Sequence, residues 1–139
     1  MAVRSKVQVW IYRREPQAPH LLFLILKTHA HRGGFWQPVT GGVDPDETLP
    51  KAALREAREE TGLSFTAEPL PIPFCFEFVS RGEKCIEHGF SLQVAENSPV
   101  QLDAREHLEF RWVAAEAALQ LIQHPSNQEM LKIFLRSLG

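Results

Sequence analysis

The chain is 139 residues long, 44% hydrophobic and 23% charged, with a formal net charge of −2. That balance belongs to a globular chain of ordinary domain size and excludes a disordered or fibrous one. A charge so near zero supplies no global basic field, so neither nucleic acid nor a membrane surface is expected as a partner.

The first residues, MAVRSKVQVW, lack the apolar stretch of a signal peptide. The longest apolar run, Leu21 to Leu26, is too short to span a bilayer. Cys75 and Cys85 have no CxxC spacing, and in a chain without an export signal free thiols are the expectation. Together these features lead us to expect one cytoplasmic domain over 1–139.

In chain order, Val7, Val9 and Ile11 alternate with Gln8, Trp10 and Tyr12, the period of a strand. A turn with two prolines, EPQAPH, leads to LLFLILK, a continuous apolar run expected to be a central strand buried on both faces. The polar loop THAHRGG precedes FWQPVTGGV, a short extended segment ending on a glycine pair. From about Thr48 to Thr61 the pattern is helical, with Gly62 placed as its C-cap. After a proline-rich connector, FCFEFVS and CIEHGFSLQV are expected to form a hairpin around Gly82, and HLEFRWV to form one more strand. Two helices, roughly Ala115 to Gln123 and Asn127 to Leu138, close the chain, with Met130, Ile133, Phe134 and Leu138 facing the core. Strands, a central helix and C-terminal helices indicate a mixed α/β sandwich.

The central helix carries an electrostatic puzzle. At about 100° per residue, Glu56, Glu59 and Glu60 share an arc of roughly 100°. Ala52 lies on the same arc, and Ala53, Leu54 and Ala57 form the adjoining face, suited to packing against a sheet. Arg55 and Arg58 flank the acids. A solvated face with an Arg55–Glu59 pair is the ordinary reading of such a run. The other is a divalent-cation site, since carboxylates at i, i+3 and i+4 can converge on a hard cation, which would also remove their repulsion. Glu47 and the turn Thr40-Gly41-Gly42 lie just upstream, where glycine lets backbone come close to a ligand and carbonyls can add neutral donors.

The segment matches the signature of the Nudix hydrolases at every fixed position: Gly41, Glu47, Arg55-Glu56-Ala57, Glu59-Glu60 and Gly62-Leu63, with Ala57 a small member of the aliphatic class. The chain therefore resembles enzymes that hydrolyse a diphosphate linked to another group with Mg²⁺ or Mn²⁺. The resemblance implies a Nudix-type α/β/α sandwich with a mixed sheet. It implies Glu56, Glu59 and Glu60 as metal ligands, with Glu47 and Thr40 in support, and Arg55 as the residue that holds a glutamate in place. Glu106, just before the last strand, is the candidate for a further ligand or base.

The flanks, FWQPVTGGVDPDET and EHLEFRWVAAEAALQLIQHPSNQEML, resemble the dihydroneopterin triphosphate pyrophosphatases, a group that also cleaves nucleoside triphosphates such as dATP. The resemblance weakens between residues 64 and 100. It implies a nucleotide or pterin triphosphate as substrate, and family members often form homodimers. Gly41, Gly42, Gln37, Trp36 and Lys27 are the expected substrate contacts. Phe74, Phe76, Phe78 and Phe90 are candidate walls, Glu77, Glu87 and His88 candidate hydrogen-bonding groups, and Arg32 a candidate phosphate contact. The alternatives are a dinucleoside polyphosphate hydrolase, an RNA 5′-end pyrophosphohydrolase, against which the net charge argues, and a non-catalytic nucleotide sensor, which the complete glutamate set argues against.

Overall fold

The computed structural model describes residues 3–138. Met1, Ala2 and Gly139, the ends of the expected 1–139 domain, lie outside the described residues.

Strand β1 (Val3–Arg14) organises the sheet. Its odd positions Val7, Val9 and Ile11 and its even positions Trp10 and Tyr12 enter two different cores, so the strand is buried on both faces. Along Val3 to Tyr12 it pairs in parallel with β6 (Glu83–Gln93). Its other edge is divided. Tyr12 to Arg14 pair with β2 (Leu21–Thr28), while Lys6 to Val9 pair with β4 (Val39–Gly42). Beyond this fork β2 continues with β3 (Trp36–Gln37) and β7 (His107–Val113), and β5 (Leu70–Ser80) completes the far edge beside β6. The order is β3-β2-β1-β6-β5, with β4 on β1 and β7 on β2, a mixed seven-stranded sheet.

Helix α1 (Leu49–Thr61) covers one face. It starts where Thr48 Oγ1 accepts from Lys51 N at 3.3 Å, and it stops at Gly62, whose φ of 67° would strain any residue bearing a Cβ. Ala52, Ala53 and Ala57 are wholly buried, and their small size lets the helix lie close on the sheet. Ala52, expected beside the acids with room around it, is therefore core: α1 packs on β4 at this end, and the acidic arc opens only from Glu56 onward.

Helices α2 (Ala115–Leu121) and α3 (Pro125–Ser137) cover the other face. Ala118, Ile122, Met130, Leu131 and Phe134 meet Trp10, Tyr12, Phe23 and Ile25 there. Met130 seats on Gly89, where a Cβ would overlap its sulfur. The result is the expected α/β/α sandwich. Leu138, expected in the core, is 46% exposed because α3 ends at Ser137 and the next residue lies past its last turn. The hairpin turns on Arg81 and Gly82, both at positive φ. Cys75 pairs with His88 and Cys85 with Phe78 across the hairpin, so the cysteines do not face each other and both are free. No helix among the described residues is long and apolar enough to cross a membrane.

Gly62 gives a direct check of this frame, since a Cβ there would also lie 3.0 Å from Gln101 Cβ and Gln101 O. Gly62→Ala should lower stability by about 1–2 kcal/mol, read as a lower urea midpoint with an unchanged slope.

Candidate active site

Where β4 meets α1, one guanidinium gathers the surrounding acids. Arg55 donates Nε to Glu47 Oε2 at 2.8 Å and Nη2 to Glu47 Oε1 at 2.9 Å, a bidentate pair. Nη2 also reaches the Gly42 carbonyl at 2.9 Å, and Nη1 reaches Glu56 Oε1 at 2.9 Å and Glu59 Oε2 at 3.3 Å. Asp44 N donates to Glu47 Oε1 at 3.0 Å, so both oxygens of Glu47 are engaged. The Arg55 hydrogen bonds hold the Glu47 carboxyl down at about 2, and the Glu47 carboxylate in turn raises the Arg55 pKa. At Gly41, a Cβ would overlap the Glu56 carboxyl carbon, so only glycine lets that carboxylate lie against the strand.

This corner opens on a cavity of about 600 Å³. Its acids are Glu56, Glu59, Glu60, Asp103 and Glu106, and its cations are Arg4, Lys6, Arg32 and Arg105. Glu106 sits on the loop before β7, held by Arg32 Nη1 at 2.8 Å, while His29 Nε2 approaches the Ala104 carbonyl at 2.6 Å and ties the two loops together.

Glu60 is the strained member. It is buried, and its Oε2 has no hydrogen-bond donor. Burial, followed by the adjacent Glu56, Glu106 and Glu59, pushes its pKa far above the usual carboxylate range. His107 Nδ1 lies 3.7 Å from Glu60 Oε1, too far for a hydrogen bond, and has no other partner. Burial lowers the His107 pKa and so favours the neutral ring. Gln37 Nε2 lies 3.1 Å from His107 Nε2; an amide nitrogen only donates, which places the ring proton on Nδ1, toward Glu60.

A second cavity of about 310 Å³ adjoins the first. Phe35, Phe76, Phe78 and His124 supply ring surface, and Glu87, Asn127 and Ser126 supply polar atoms. Lys6, Gln37 and Thr40 line both cavities.

Comparison with known proteins places this arrangement. The family model described as NUDIX domain matches residues 3–134. The chain belongs to the Nudix hydrolases. It is an enzyme of phosphoanhydride bonds, in a family that generally uses a divalent metal ion. It is 33% identical over 116 residues to the dihydroneopterin triphosphate diphosphatase of Escherichia coli K12, covering 73% of this chain and 75% of that protein. It is 32% identical over 118 residues to a Myxococcus xanthus protein named octanoyltransferase, covering 84% of this chain but only 33% of that protein. The crystal structure of a Caenorhabditis elegans Ap4A hydrolase binary complex superposes with a TM-score of 0.82 at 23% identity, covering 97% of each chain, which establishes the shared fold.

The Nudix frame brings Glu56, Glu59, Glu60 and Glu106 to one cavity with Thr40, Gly41, Gly42, Gln37 and Arg32. Glu47 lies with Arg55 beside that cavity instead of lining it. Trp36 is buried in the α3-side core, and Lys27 pairs with Glu109 at 3.8 Å; neither lines either cavity. Phe76, Phe78 and Glu87 line the second cavity, whereas Phe90 is core, Glu77 pairs with Lys84, and Phe74 and His88 line neither cavity. Arg4, Lys6, Gln8, Asp103, Arg105 and His107 were not singled out from the sequence. The alternation of β1 carried the signal for three of them, because Arg4, Lys6 and Gln8 extend the face opposite Val7 and Val9.

The donor set fits a hard divalent cation. Glu60 offers an oxygen without a donor, Glu56 is cradled by Gly41, and every candidate ligand is an oxygen. Among the described residues no three such side chains already form a closed cage, since Glu56 and Glu59 each turn one oxygen to Arg55.

The buried acid predicts a pH dependence. Folded Glu60 keeps its proton to higher pH than the ordinary value of 4.5, so its contribution to stability is full below that value and is lost as pH rises. Glu47 acts oppositely: its contribution is present above 4.5 and is lost as pH falls toward about 2. Between about pH 7 and 9 in EDTA, above the range where the lowered His107 pKa opposes it, the thermal midpoint should therefore fall with pH, and Glu60→Gln should flatten that fall. Parallel slopes for the two proteins would contradict the assignment.

Proposed function

We propose that the chain is a Mg²⁺- or Mn²⁺-dependent pyrophosphohydrolase that cleaves a nucleoside triphosphate-like molecule, dihydroneopterin triphosphate or a (deoxy)nucleoside triphosphate, to a monophosphate and pyrophosphate. The observation that carries this reading is the double lining of the larger cavity: four glutamates suited to a cation share it with four cationic side chains suited to phosphates. The E. coli relative named a dihydroneopterin triphosphate diphosphatase supports the choice of substrate class.

In this reading Glu56, Glu59 and Glu60 hold the metal, with Glu106 as a further ligand or as the base. When bound, a divalent ion neutralises phosphate charge and acidifies a coordinated water. The side chains do the rest. Arg4, Lys6, Arg32 and Arg105 receive the phosphate oxygens and orient the chain. Water adds to phosphorus as the bridging P–O bond breaks, pyrophosphate leaves with that bond's electron pair, and a carboxylate takes the water's proton. Arg55 is a positioning residue: with Glu47 as its anchor it fixes Glu56 and the Gly42 backbone.

The test is product analysis with dihydroneopterin triphosphate, the common nucleoside triphosphates and a dinucleoside polyphosphate. Pyrophosphate release from a triphosphate, abolished by EDTA and restored by Mg²⁺, is the expected result. Release of nucleotide products from the dinucleoside polyphosphate alone would move the enzyme to that class. Glu56→Gln and Glu60→Gln should each lower kcat about a hundredfold or more. Near-normal turnover in both would remove the metal assignment.

A further inference from the structure

Among the described residues, only two buried side-chain nitrogen or oxygen atoms lack a hydrogen-bond partner: Glu60 Oε2 and His107 Nδ1. The two residues are neighbours, since His107 Nδ1 lies 3.7 Å from Glu60 Oε1, the other oxygen of that carboxyl. Buried polar atoms are nearly always paired, so a donor and an acceptor left over side by side are each other's complement.

The stance of the ring is set by its surroundings. His107 opens β7, where its backbone N donates to the Asp103 carbonyl at 3.1 Å. The pairing of β2 with β7 shifts register between Lys27 and Thr28, which seats His107 opposite Thr28. Such an irregularity re-aims a side chain, and here the ring is 3% exposed and lines the larger cavity. Gln37 Nε2 stands 3.1 Å from His107 Nε2 and can only donate, so Nε2 accepts and Nδ1 carries the proton. The ring is thus a neutral donor facing a carboxyl group. Their separation exceeds the usual limit of about 3.2 Å by little, and a small turn of the Glu60 carboxyl closes it.

We infer that His107 is a positioning residue for Glu60: its Nδ1–H donates to one carboxylate oxygen and so presents the other to a hard cation in the larger cavity. The inference rests on the proposed metal role of Glu60 and adds the side chain that orients it. Arg55 already does the equivalent for Glu56, donating Nη1 to Oε1 at 2.9 Å. A neutral donor suits Glu60 better than a second guanidinium, because it fixes the plane of the carboxylate without setting another positive charge against the ion. Side chains that orient a ligand in this way tune metal affinity about 10–100-fold without touching the metal.

Two measurements test the assignment without turnover. Nitrogen NMR of the wild-type ring should show Nδ1 protonated and Nε2 bare. Calorimetric titration with Mg²⁺ should find His107→Phe about tenfold or more weaker than wild type. His107→Asn, whose amide N–H stands near the place of Nδ1–H, should recover most of that loss. A merely structural histidine would give the opposite order, since Phe fills buried space better than Asn. A wild-type ring protonated on Nε2, unchanged Mg²⁺ affinity in a folded His107→Phe protein, or equal losses in the two variants would overturn the inference. Should neither variant fold, the wild-type spectra decide. Wild-type protein that binds no Mg²⁺, or Glu60→Gln protein that binds it equally well, would remove the metal role of Glu60 and this inference with it. Weakened binding in Glu60→Gln beside unchanged binding in His107→Phe would remove this inference alone.

Discussion

A guanidinium that is only a quarter exposed must be matched by acceptors or it costs more than it contributes. Arg55 meets that demand with Glu47, Glu56, Glu59 and the Gly42 carbonyl at once. The consequence is mechanical as well as electrostatic. The glycine turn at the end of β4, the loop carrying Glu47 and the acidic face of α1 become one block, and none of them can shift without unpairing a half-buried charge. The same constraint explains why Gly41 and Glu56 tolerate each other so closely, since the pair is clamped from the arginine side.

Against that satisfied hub stands a neighbour that is not satisfied. Glu60 has an oxygen with no donor, and His107 points a ring nitrogen at it from beyond hydrogen-bonding range. Buried polar atoms in folded proteins are nearly always paired, and exceptions concentrate where a ligand completes them. The two halves of the α1 acid face therefore divide the labour. Glu56, toward Arg55, is braced by the protein, and Glu60, toward His107, keeps an oxygen without a donor.

Much of this was legible in the chain. Alternation in β1, the apolar run of β2 and the capped helix Leu49–Thr61 follow from local periodicity and from Thr48 and Gly62, which act within their own turn. The acid cluster was legible because helical spacing fixes which residues share a face. What stayed hidden depends on contacts distant in sequence. Gln8 joins Glu87 and Asn127 across 79 and 119 positions, and no local pattern announces such a meeting. Trp36 looked like a ligand wall because of its neighbours in sequence, but β3 pairs with β2 and turns the ring into the α3-side core. Lys27, on the partner strand, is drawn to Glu109 of β7. Leu138 kept the helical period, yet the helix stopped before it.

The even positions of β1 run Arg4, Lys6, Gln8, Trp10, from the larger cavity past the smaller one and into the core, while the odd positions Val7, Val9 and Ile11 hold α1. Successive residues on one face of a strand stand about 6.6 Å apart, so β1 is a ruler laid along both cavities. It is also a strand whose slippage by one residue would send its cations into the core and its valines into the site. Drift in length is thus barred here by folding itself. A different spacing between the two cavities has to come from elsewhere, such as the outer strand β5, whose Phe76 and Phe78 line the smaller one.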